Sequence, residues 1–283
     1  MEIKISPFSG FCFGVKRADK IVRDANKFEK LSVYTLGPLI HNPQVVNRLK
    51  NIGIFPVDSI DDIELPAVLV IRSHGIPKSE FIKLSKINGL ILIDATCPFV
   101  KKAQRSAERL HLKGREVIIL GESGHPEVLG LIDYTKGKAI VIEDLSEIND
   151  LSIKSKIGVL AQTTQPRKKF QKMVKMIKNR FKGSDIKVID TVCEATQNRQ
   201  HAALKLAKDT QVMIIVGGRN SANTNRLAQI CRDTGTVVYH IEERRDLKKE
   251  WFDGIESVGI SAGASTPMWL VEDIYRQILN YKE

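Results

Sequence analysis

The feature that most constrains the fold is a repeated succession of short apolar runs, each followed by polar turn residues and then by a helical pattern. Six runs rich in β-branched residues begin this succession: LSVYT, AVLVI, EVIIL, KIGVLA, QVMIIV and ESVGI. Runs of this length and composition are typical of buried strands. Because strands alternate with helices, the sequence predicts an α/β protein with mainly parallel sheets.

Three of the four cysteines share one position in this pattern. Cys12, Cys97 and Cys193 each stand where a short apolar run ends and an amphipathic helix begins. They divide the chain of 283 residues into three similar α/β units, which we place at residues 1–96, 97–192 and 193–283. The fourth, Cys231, lies inside a helical pattern, where a cysteine usually packs as a small apolar residue.

Ligands of parallel α/β sheets bind beyond the carboxyl ends of the strands. All three helix-start cysteines fall at that end of their runs. If the three units face one another with these ends inward, the cysteines meet at the centre. The fold class that we expect is therefore three similar α/β units with mainly parallel sheets, arranged around a central site.

Three convergent thiolates would suit a metal centre, since a helix N-terminus stabilises a thiolate. Three cysteines without a paired histidine ligand fit an iron–sulfur cluster better than structural zinc. A 4Fe–4S cluster usually takes four cysteines, so three would leave one iron open to a substrate. Taken singly, each cysteine has a second interpretation as a small buried apolar residue.

Polar side chains in the loops after the runs form a second candidate group. Histidines near helix starts, together with hydroxyls and amides, are suited to an anion such as phosphate or diphosphate. Taken alone, Glu127 in GHPEV would be a solvated carboxylate in the first turn of a helix. The candidate anion ligands are His41, His74, His125, Thr163, Ser221, Asn223 and Ser265.

The net charge of +11 comes from lysines and arginines spread through many helical segments. This spread indicates a solvated basic surface, open to a small anion or an acidic protein, and we expect no nucleic-acid partner. No segment reaches the roughly 18 consecutive apolar residues of a membrane span. The first residues do not form a basic segment followed by an apolar one, so the expectation is a cytoplasmic protein without a membrane partner.

Taken together and in order, these motifs resemble the 4-hydroxy-3-methylbut-2-enyl diphosphate reductase family, which acts last in the methylerythritol phosphate route to isoprenoids. The resemblance runs from residue 10 to residue 265. The matching stretches are GFCFGVKRA, GPLIHNP, RSHGI, DATCPFV, GHPEV, QTT, CEATQNRQ, RNSANTNRL and AGAS.

The resemblance implies a central 4Fe–4S cluster held by Cys12, Cys97 and Cys193, with one iron lacking a protein ligand. It also implies that Glu127 supplies protons and that Thr163 relays them near the substrate hydroxyl. The reaction removes that hydroxyl as water, using two electrons and two protons, and yields isopentenyl and dimethylallyl diphosphate. The implied ligands of the substrate diphosphate are His41, His74, His125, Ser221, Asn223 and Ser265.

One position departs from the family pattern. The family commonly has Ser-Ser-Asn where this chain has Ser221-Ala222-Asn223. Ala222 has no hydroxyl, so its contact with the diphosphate must come from its backbone N–H. We expect somewhat weaker binding there and a functional protein.

No GxGxxG motif follows a strand, so the sequence predicts neither a nicotinamide nor a flavin site. Electrons would then arrive from an external donor, a ferredoxin- or flavodoxin-like protein. Two alternatives stay open at this point: an iron–sulfur hydro-lyase, which needs no reductant, and a basic nucleic-acid-binding protein, whose affinity would depend on salt.

Overall fold

The computed structural model describes residues 1–26, 31–153 and 156–281. These ranges contain short strands and α-helices in regular alternation. The strands are β1 (Glu2–Ile5), β2 (Ser32–Leu36), β3 (Ile54–Val57), β4 (Ala67–Ile71), β5 (Leu90–Asp94), β6 (Glu116–Leu120), β7 (Ile140–Ile142), β8 (Lys156–Ala161), β9 (Asp185–Val188), β10 (Val212–Val216), β11 (Val237–Ile241) and β12 (Ser257–Ala262). The helices are α1 (Phe13–Ala25), α2 (Pro43–Lys50), α3 (Lys78–Leu84), α4 (Pro98–Leu112), α5 (Pro126–Tyr134), α6 (Arg167–Arg180), α7 (Glu194–Lys208), α8 (Ala222–Arg232) and α9 (Met268–Asn280).

The strands of the described residues form three four-stranded sheets. Their orders are β1-β12-β10-β11, β3-β2-β4-β5 and β7-β6-β8-β9. The neighbouring strands run parallel, for example Val212 beside Val237 and Ala67 beside Leu90. The predicted fold class of three parallel α/β units is therefore confirmed.

The chain divides into two compact units. Unit 1 comprises Met1–Asp19, Pro38–Phe55 and Glu194–Glu283, and unit 2 comprises Lys20–Gly37 and Pro56–Cys193. Unit 1 contains the sheet β1-β12-β10-β11. Unit 2 contains β2, β4 and β5 of the second sheet and all four strands of the third.

Strand β10, in the middle of its sheet, is apolar along its whole length, as expected of a parallel strand that is covered on both faces. In unit 1, all five residues of β10 are buried. They divide between a core on one face, with Ile260 and Ile274, and a core on the other, with Leu227 and Cys231. The prediction that Cys231 packs in the core is thus confirmed.

In unit 2, helix α4 packs directly on strand β8. A Cβ atom at Gly158 would lie 2.9 Å from a methyl carbon of Leu110, so the helix can approach only because this residue is glycine. The same helix packs against α5. This packing fixes the start of α5, which carries two of the candidate site residues, on the framework of the sheet.

The six apolar runs all form strands, and their observed bounds agree with the sequence to within two residues. The short strands β3 and β7 were not expected, since neither Ile54–Val57 nor Ile140–Ile142 is followed by the same turn and helix pattern. Strand β1 pairs with β12, so residues 2–5 join the sheet of the last part of the chain. No helix in the described part of the chain is long and apolar enough to cross a bilayer.

Candidate functional site

The three helix-start cysteines occupy equivalent positions in their local structure. Cys97 is the N-cap of α4, with Pro98 at the first helical position, and its N–H donates to the Ser73 carbonyl at 3.0 Å. Cys193 directly precedes α7 and donates to the Thr163 carbonyl at 2.9 Å. Each of these two backbone bonds ties a cysteine to the loop after a neighbouring buried strand.

Cys12 shows the same arrangement in unit 1. It directly precedes α1, and its N–H donates to the Ala264 carbonyl at 3.1 Å. The Cys12, Cys97 and Cys193 side chains are all partly exposed, whereas Cys231 is buried. Burial raises the pKa of the Cys231 thiol to about 12, so this residue stays protonated and is unsuited to ligation.

Within either unit, the described residues contain no group of three or more His, Cys, Asp or Glu side chains that could hold a metal ion. Cys12 belongs to unit 1, and Cys97 and Cys193 belong to unit 2. The chemistry of the individual donors nevertheless fits an iron–sulfur cluster. All three are partly exposed and stand at the N-termini of helices of at least 13 residues, and cysteine sulfur is the usual ligand of such clusters.

Glu127 is the most deeply buried carboxylate near these loops. It lies in the first turn of α5 and is only 1 % exposed. Its Oε1 accepts a hydrogen bond from the Thr163 N–H at 2.7 Å, and its Oε2 accepts one from the Thr163 hydroxyl at 2.9 Å. The interpretation of Glu127 as a solvated carboxylate is therefore wrong.

Burial raises the pKa of Glu127 to about 7, and the two hydrogen bonds from Thr163 partly oppose that rise. Desolvation disfavours a charged carboxylate, while donors aimed at its oxygens favour it. The group therefore changes protonation state near neutral pH. A carboxyl in this state can both donate and accept a proton.

Two loop histidines of unit 2 lie together at the start of α5. The rings of His74 and His125 meet edge to face, with centroids 5.7 Å apart. His125 is the N-cap of α5, and its Nδ1 accepts from the Glu127 N–H at 3.1 Å. One ring nitrogen of His125 therefore fixes the helix start that carries Glu127.

Gln162, which sequence reasoning did not select, joins the loops of unit 2. Its Oε1 accepts from the Glu122 N–H at 3.1 Å, and its Nε2 donates to the Thr164 hydroxyl at 3.0 Å. The loop that carries Glu127 is therefore tied to the loop that carries Thr163. The motif QTT contains this residue, but the sequence does not reveal that its side chain is fully buried.

The candidate anion ligands of unit 1 surround the start of α8. Ser221 is the N-cap of this helix, and its Oγ accepts from the Thr224 N–H at 3.4 Å. Ala222 follows as the first helical residue. Asn223 is 7 % exposed, and both polar atoms of its amide are buried without a hydrogen-bond partner among the described residues.

His41 and Ser265 lie on two other loops of unit 1 that meet each other. The Ser265 hydroxyl donates to the His41 carbonyl at 3.2 Å. A Cβ atom at Gly218 would lie 2.7 Å from the same carbonyl oxygen, so the loop after β10 can approach His41 only through a glycine. The loops after β10 and β12 and the loop before α2 therefore form one packed group.

The model of the LytB protein family matches residues 3–279. The chain belongs to the LytB family. The resemblance on which the sequence expectations rested is thereby confirmed.

Curated LytB relatives cover nearly the whole chain. A protein of Aquifex aeolicus is 45 % identical over 281 residues, which is 98 % of this chain and 96 % of that protein. A protein of Geobacter sulfurreducens is 42 % identical over 281 residues, 99 % of this chain and 98 % of its own length. Both are named 4-hydroxy-3-methylbut-2-enyl diphosphate reductase.

Solved LytB structures give the same result. One is described as the structure of (E)-4-hydroxy-3-methyl-but-2-enyl diphosphate reductase, the terminal enzyme of the non-mevalonate pathway. It is 44 % identical, with a TM-score of 0.74 over 99 % of this chain and 100 % of that one. The E-1-hydroxy-2-methyl-but-2-enyl-4-diphosphate reductase of Plasmodium falciparum is 25 % identical, with a TM-score of 0.90 over 97 % of this chain and 86 % of its own.

Proposed function

We propose that the chain is the reductase of the last step of the methylerythritol phosphate route, as its LytB relatives are named. It removes the hydroxyl of (E)-4-hydroxy-3-methylbut-2-enyl diphosphate as water and forms isopentenyl and dimethylallyl diphosphate. The observation that carries this proposal is the buried Glu127, bound by Thr163 and titrating near pH 7. An acid of this kind is what protonation of a leaving hydroxyl requires.

Cys12, Cys97 and Cys193 would hold the 4Fe–4S cluster. When bound, the cluster supplies electrons and a Lewis-acidic iron for the substrate oxygen. Cys231 takes no part, because it is buried in the core as a protonated thiol.

The diphosphate would be held by His41, His74 and His125 together with Ser221, Asn223 and Ser265. Asn223 supports this assignment most directly, since a buried amide with no partner among the described residues needs a ligand or water to satisfy it. Ala222 would contribute its N–H from the start of α8, where backbone donors favour phosphate oxygens. Binding the remote diphosphate fixes the orientation of the reacting end.

Glu127 and Thr163 would move protons to the leaving oxygen. When Glu127 is ionised, the Thr163 hydroxyl donates to its Oε2, as in the observed geometry. When Glu127 is protonated, the same hydroxyl can turn and accept, because a threonine hydroxyl both donates and accepts. The hydroxyl can therefore pass a proton from the buried carboxyl toward a substrate on its other side.

An external ferredoxin- or flavodoxin-like protein would supply the electrons. The net charge of +11 favours an acidic partner over a basic one. The accessible thiols fit a reducing compartment, and we place the protein in the cytoplasm. The proposal includes no nucleic-acid or membrane partner.

The proposal is tested on anaerobically purified protein by iron and acid-labile sulfide analysis. Turnover of the hydroxylated diphosphate is then assayed with and without a strong reductant. Cys97→Ser should lose the cluster, and Cys231→Ser is the matched control that should keep it. Equal cluster loss in both variants would contradict the ligand assignment, and turnover without reductant would indicate a hydro-lyase instead.

A further inference from the structure

Arg199 is a buried cation that neither the cluster nor the substrate assignment uses. It lies on α7, within the stretch CEATQNRQ, and is only 3 % exposed. Its Nη1 donates to the Ala262 carbonyl at 2.8 Å, and its Nη2 donates to the Gly10 carbonyl at 2.9 Å. One guanidinium therefore binds two different segments of unit 1.

These two segments carry two of the candidate site residues. Gly10 stands in the loop between β1 and α1, shortly before Cys12, and Ala262 ends β12, shortly before Ser265. The Cys12 N–H also donates to the Ala264 carbonyl at 3.1 Å. Three hydrogen bonds thus connect the Cys12 loop with the Ser265 loop.

The backbone of the Cys12 loop is shaped for this contact. Gly10 has a φ of +96°, a conformation that residues with a side chain rarely adopt. That conformation orients the carbonyl which Arg199 binds. Without the guanidinium, the carbonyls of Gly10 and Ala262 would each lose a charge-assisted hydrogen bond.

We propose that Arg199 is a positioning residue that fixes the Cys12 loop relative to the Ser265 loop. The proposed cluster ligand Cys12 and the proposed diphosphate ligand Ser265 are thereby held in one arrangement. This inference rests on the proposed function. A planar fork with several donors is required, because one head group must reach both carbonyls. A lysine, which presents a compact charge on a flexible stem, retains the charge and loses the double contact.

The experiment compares Arg199→Met and Arg199→Lys with the wild type. Arg115→Met is the matched control. Arg115 also binds carbonyls of two segments, those of Ile157 and Asp185. These carbonyls lie near the starts of β8 and β9 in unit 2, whereas the candidate site residues follow the ends of strands. The first measurement is the rate at which an iron chelator removes iron from anaerobically purified protein. The second is the affinity of the cluster-free protein for inorganic pyrophosphate.

We expect Arg199→Met to release iron about tenfold faster than the wild type, from the loss of charge-assisted hydrogen bonds. The affinity of Arg199→Met for pyrophosphate should fall several-fold, since the segment before Ser265 loses the hydrogen bond to the Ala262 carbonyl. Arg199→Lys should restore part of the iron retention, because its ammonium group can still bind one of the two carbonyls. Arg115→Met should lower the melting temperature and leave both measurements at wild-type values.

Iron release from Arg199→Met at the rate of Arg115→Met would overturn the inference. If Arg199→Met does not fold, as judged by circular dichroism, Arg199→Lys carries the test, and wild-type behaviour in that variant would overturn the inference equally. A wild-type protein that binds pyrophosphate but never retains iron contradicts the proposed function instead. The two failures are therefore distinguishable.

Discussion

The two units present opposite kinds of polar chemistry at the ends of their strands. In unit 2, both oxygens of Glu127 accept hydrogen bonds from Thr163. In unit 1, both polar atoms of the Asn223 amide are buried and meet no partner among the described residues. The carboxyl of unit 2 has protein donors for both oxygens, whereas the amide of unit 1 needs a ligand or water to satisfy it.

The difference separates two requirements of a catalyst. A buried polar atom without a partner costs about 1–3 kcal/mol, and a ligand that satisfies it recovers that free energy as affinity. A general acid instead must keep its position and pKa whether or not the substrate is present. Asn223 of unit 1 is therefore suited to binding a ligand, and Glu127 of unit 2 to holding a proton.

The largest expected effect comes from Glu127→Gln. Glutamine can still accept the Thr163 N–H and can donate to its hydroxyl, so the site keeps its shape. The turnover number should fall by about 10²–10⁴-fold, because the side chain no longer carries a proton to transfer. Single-turnover kinetics and substrate affinity, measured beside the control Glu122→Gln, separate the loss of chemistry from the loss of binding. Full turnover in Glu127→Gln would remove this residue from the mechanism.

The same variant should change how stability depends on pH. The folded pKa of Glu127, about 7, is above the ordinary glutamate value of 4.5, so folding favours the protonated form. That contribution is fully present below about pH 4.5 and is lost as the pH rises through 7. Between those values the wild type should lose about 3 kcal/mol more unfolding free energy than Glu127→Gln, as measured by chemical denaturation.

Asn223→Ala tests the other half of the comparison. Removing the unsatisfied amide should weaken binding of pyrophosphate by about 10–100-fold, since two hydrogen bonds to the ligand are lost. It should also stabilise the ligand-free protein by about 1 kcal/mol, because no buried polar group is left without a partner. The control is Asn225→Ala, whose amide is exposed and donates to the Arg219 carbonyl at 2.8 Å. Equal affinities in these two variants would contradict the assignment of unit 1 to binding.

Thr163→Val should have a smaller effect, and its direction is informative. The Thr163 hydroxyl lowers the pKa of Glu127, so its removal raises that pKa further above its ordinary range. The alkaline limb of the rate profile should move to higher pH by about one unit. Thr164→Val is the control, because that neighbouring hydroxyl contacts Gln162. A shift of the acid limb to higher pH, with the alkaline limb unchanged, would mean that Glu127 acts in its ionised form.

Ala222→Ser should have the smallest effect. It adds a hydroxyl at the first residue of α8. A neutral hydrogen bond contributes about 0.5–1.5 kcal/mol, so the Michaelis constant should fall by about two- to tenfold while the turnover number stays constant. An unchanged Michaelis constant would show that the backbone N–H of Ala222 already supplies the whole contact.

Much of this arrangement was predictable from the sequence, because it depends on local patterns. Buried strands such as AVLVI and EVIIL share an apolar, β-branched composition, and each is followed by polar turn residues and a helical pattern. Cys12, Cys97 and Cys193 each stand where such an apolar run ends and a helix begins. The residue pattern alone did not predict the burial of Glu127, since a glutamate in the first turn of a helix is ordinarily solvated. Only the proton-supplying role that the family resemblance implies pointed to a closed, partly dry site and a raised pKa. The contacts of Arg199 were not predictable either, because only the folded chain shows that its partners are carbonyls of distant segments.

The pairing of β1 with β12 has a consequence for synthesis of the protein. Residues 2–5 are synthesised long before Ser257–Ile260, with which they pair. Strands β4 to β9 emerge between these two, and can pair with one another while translation continues. Strand β1 and the Cys12 loop that follows it therefore reach their final place only after β12 has been made.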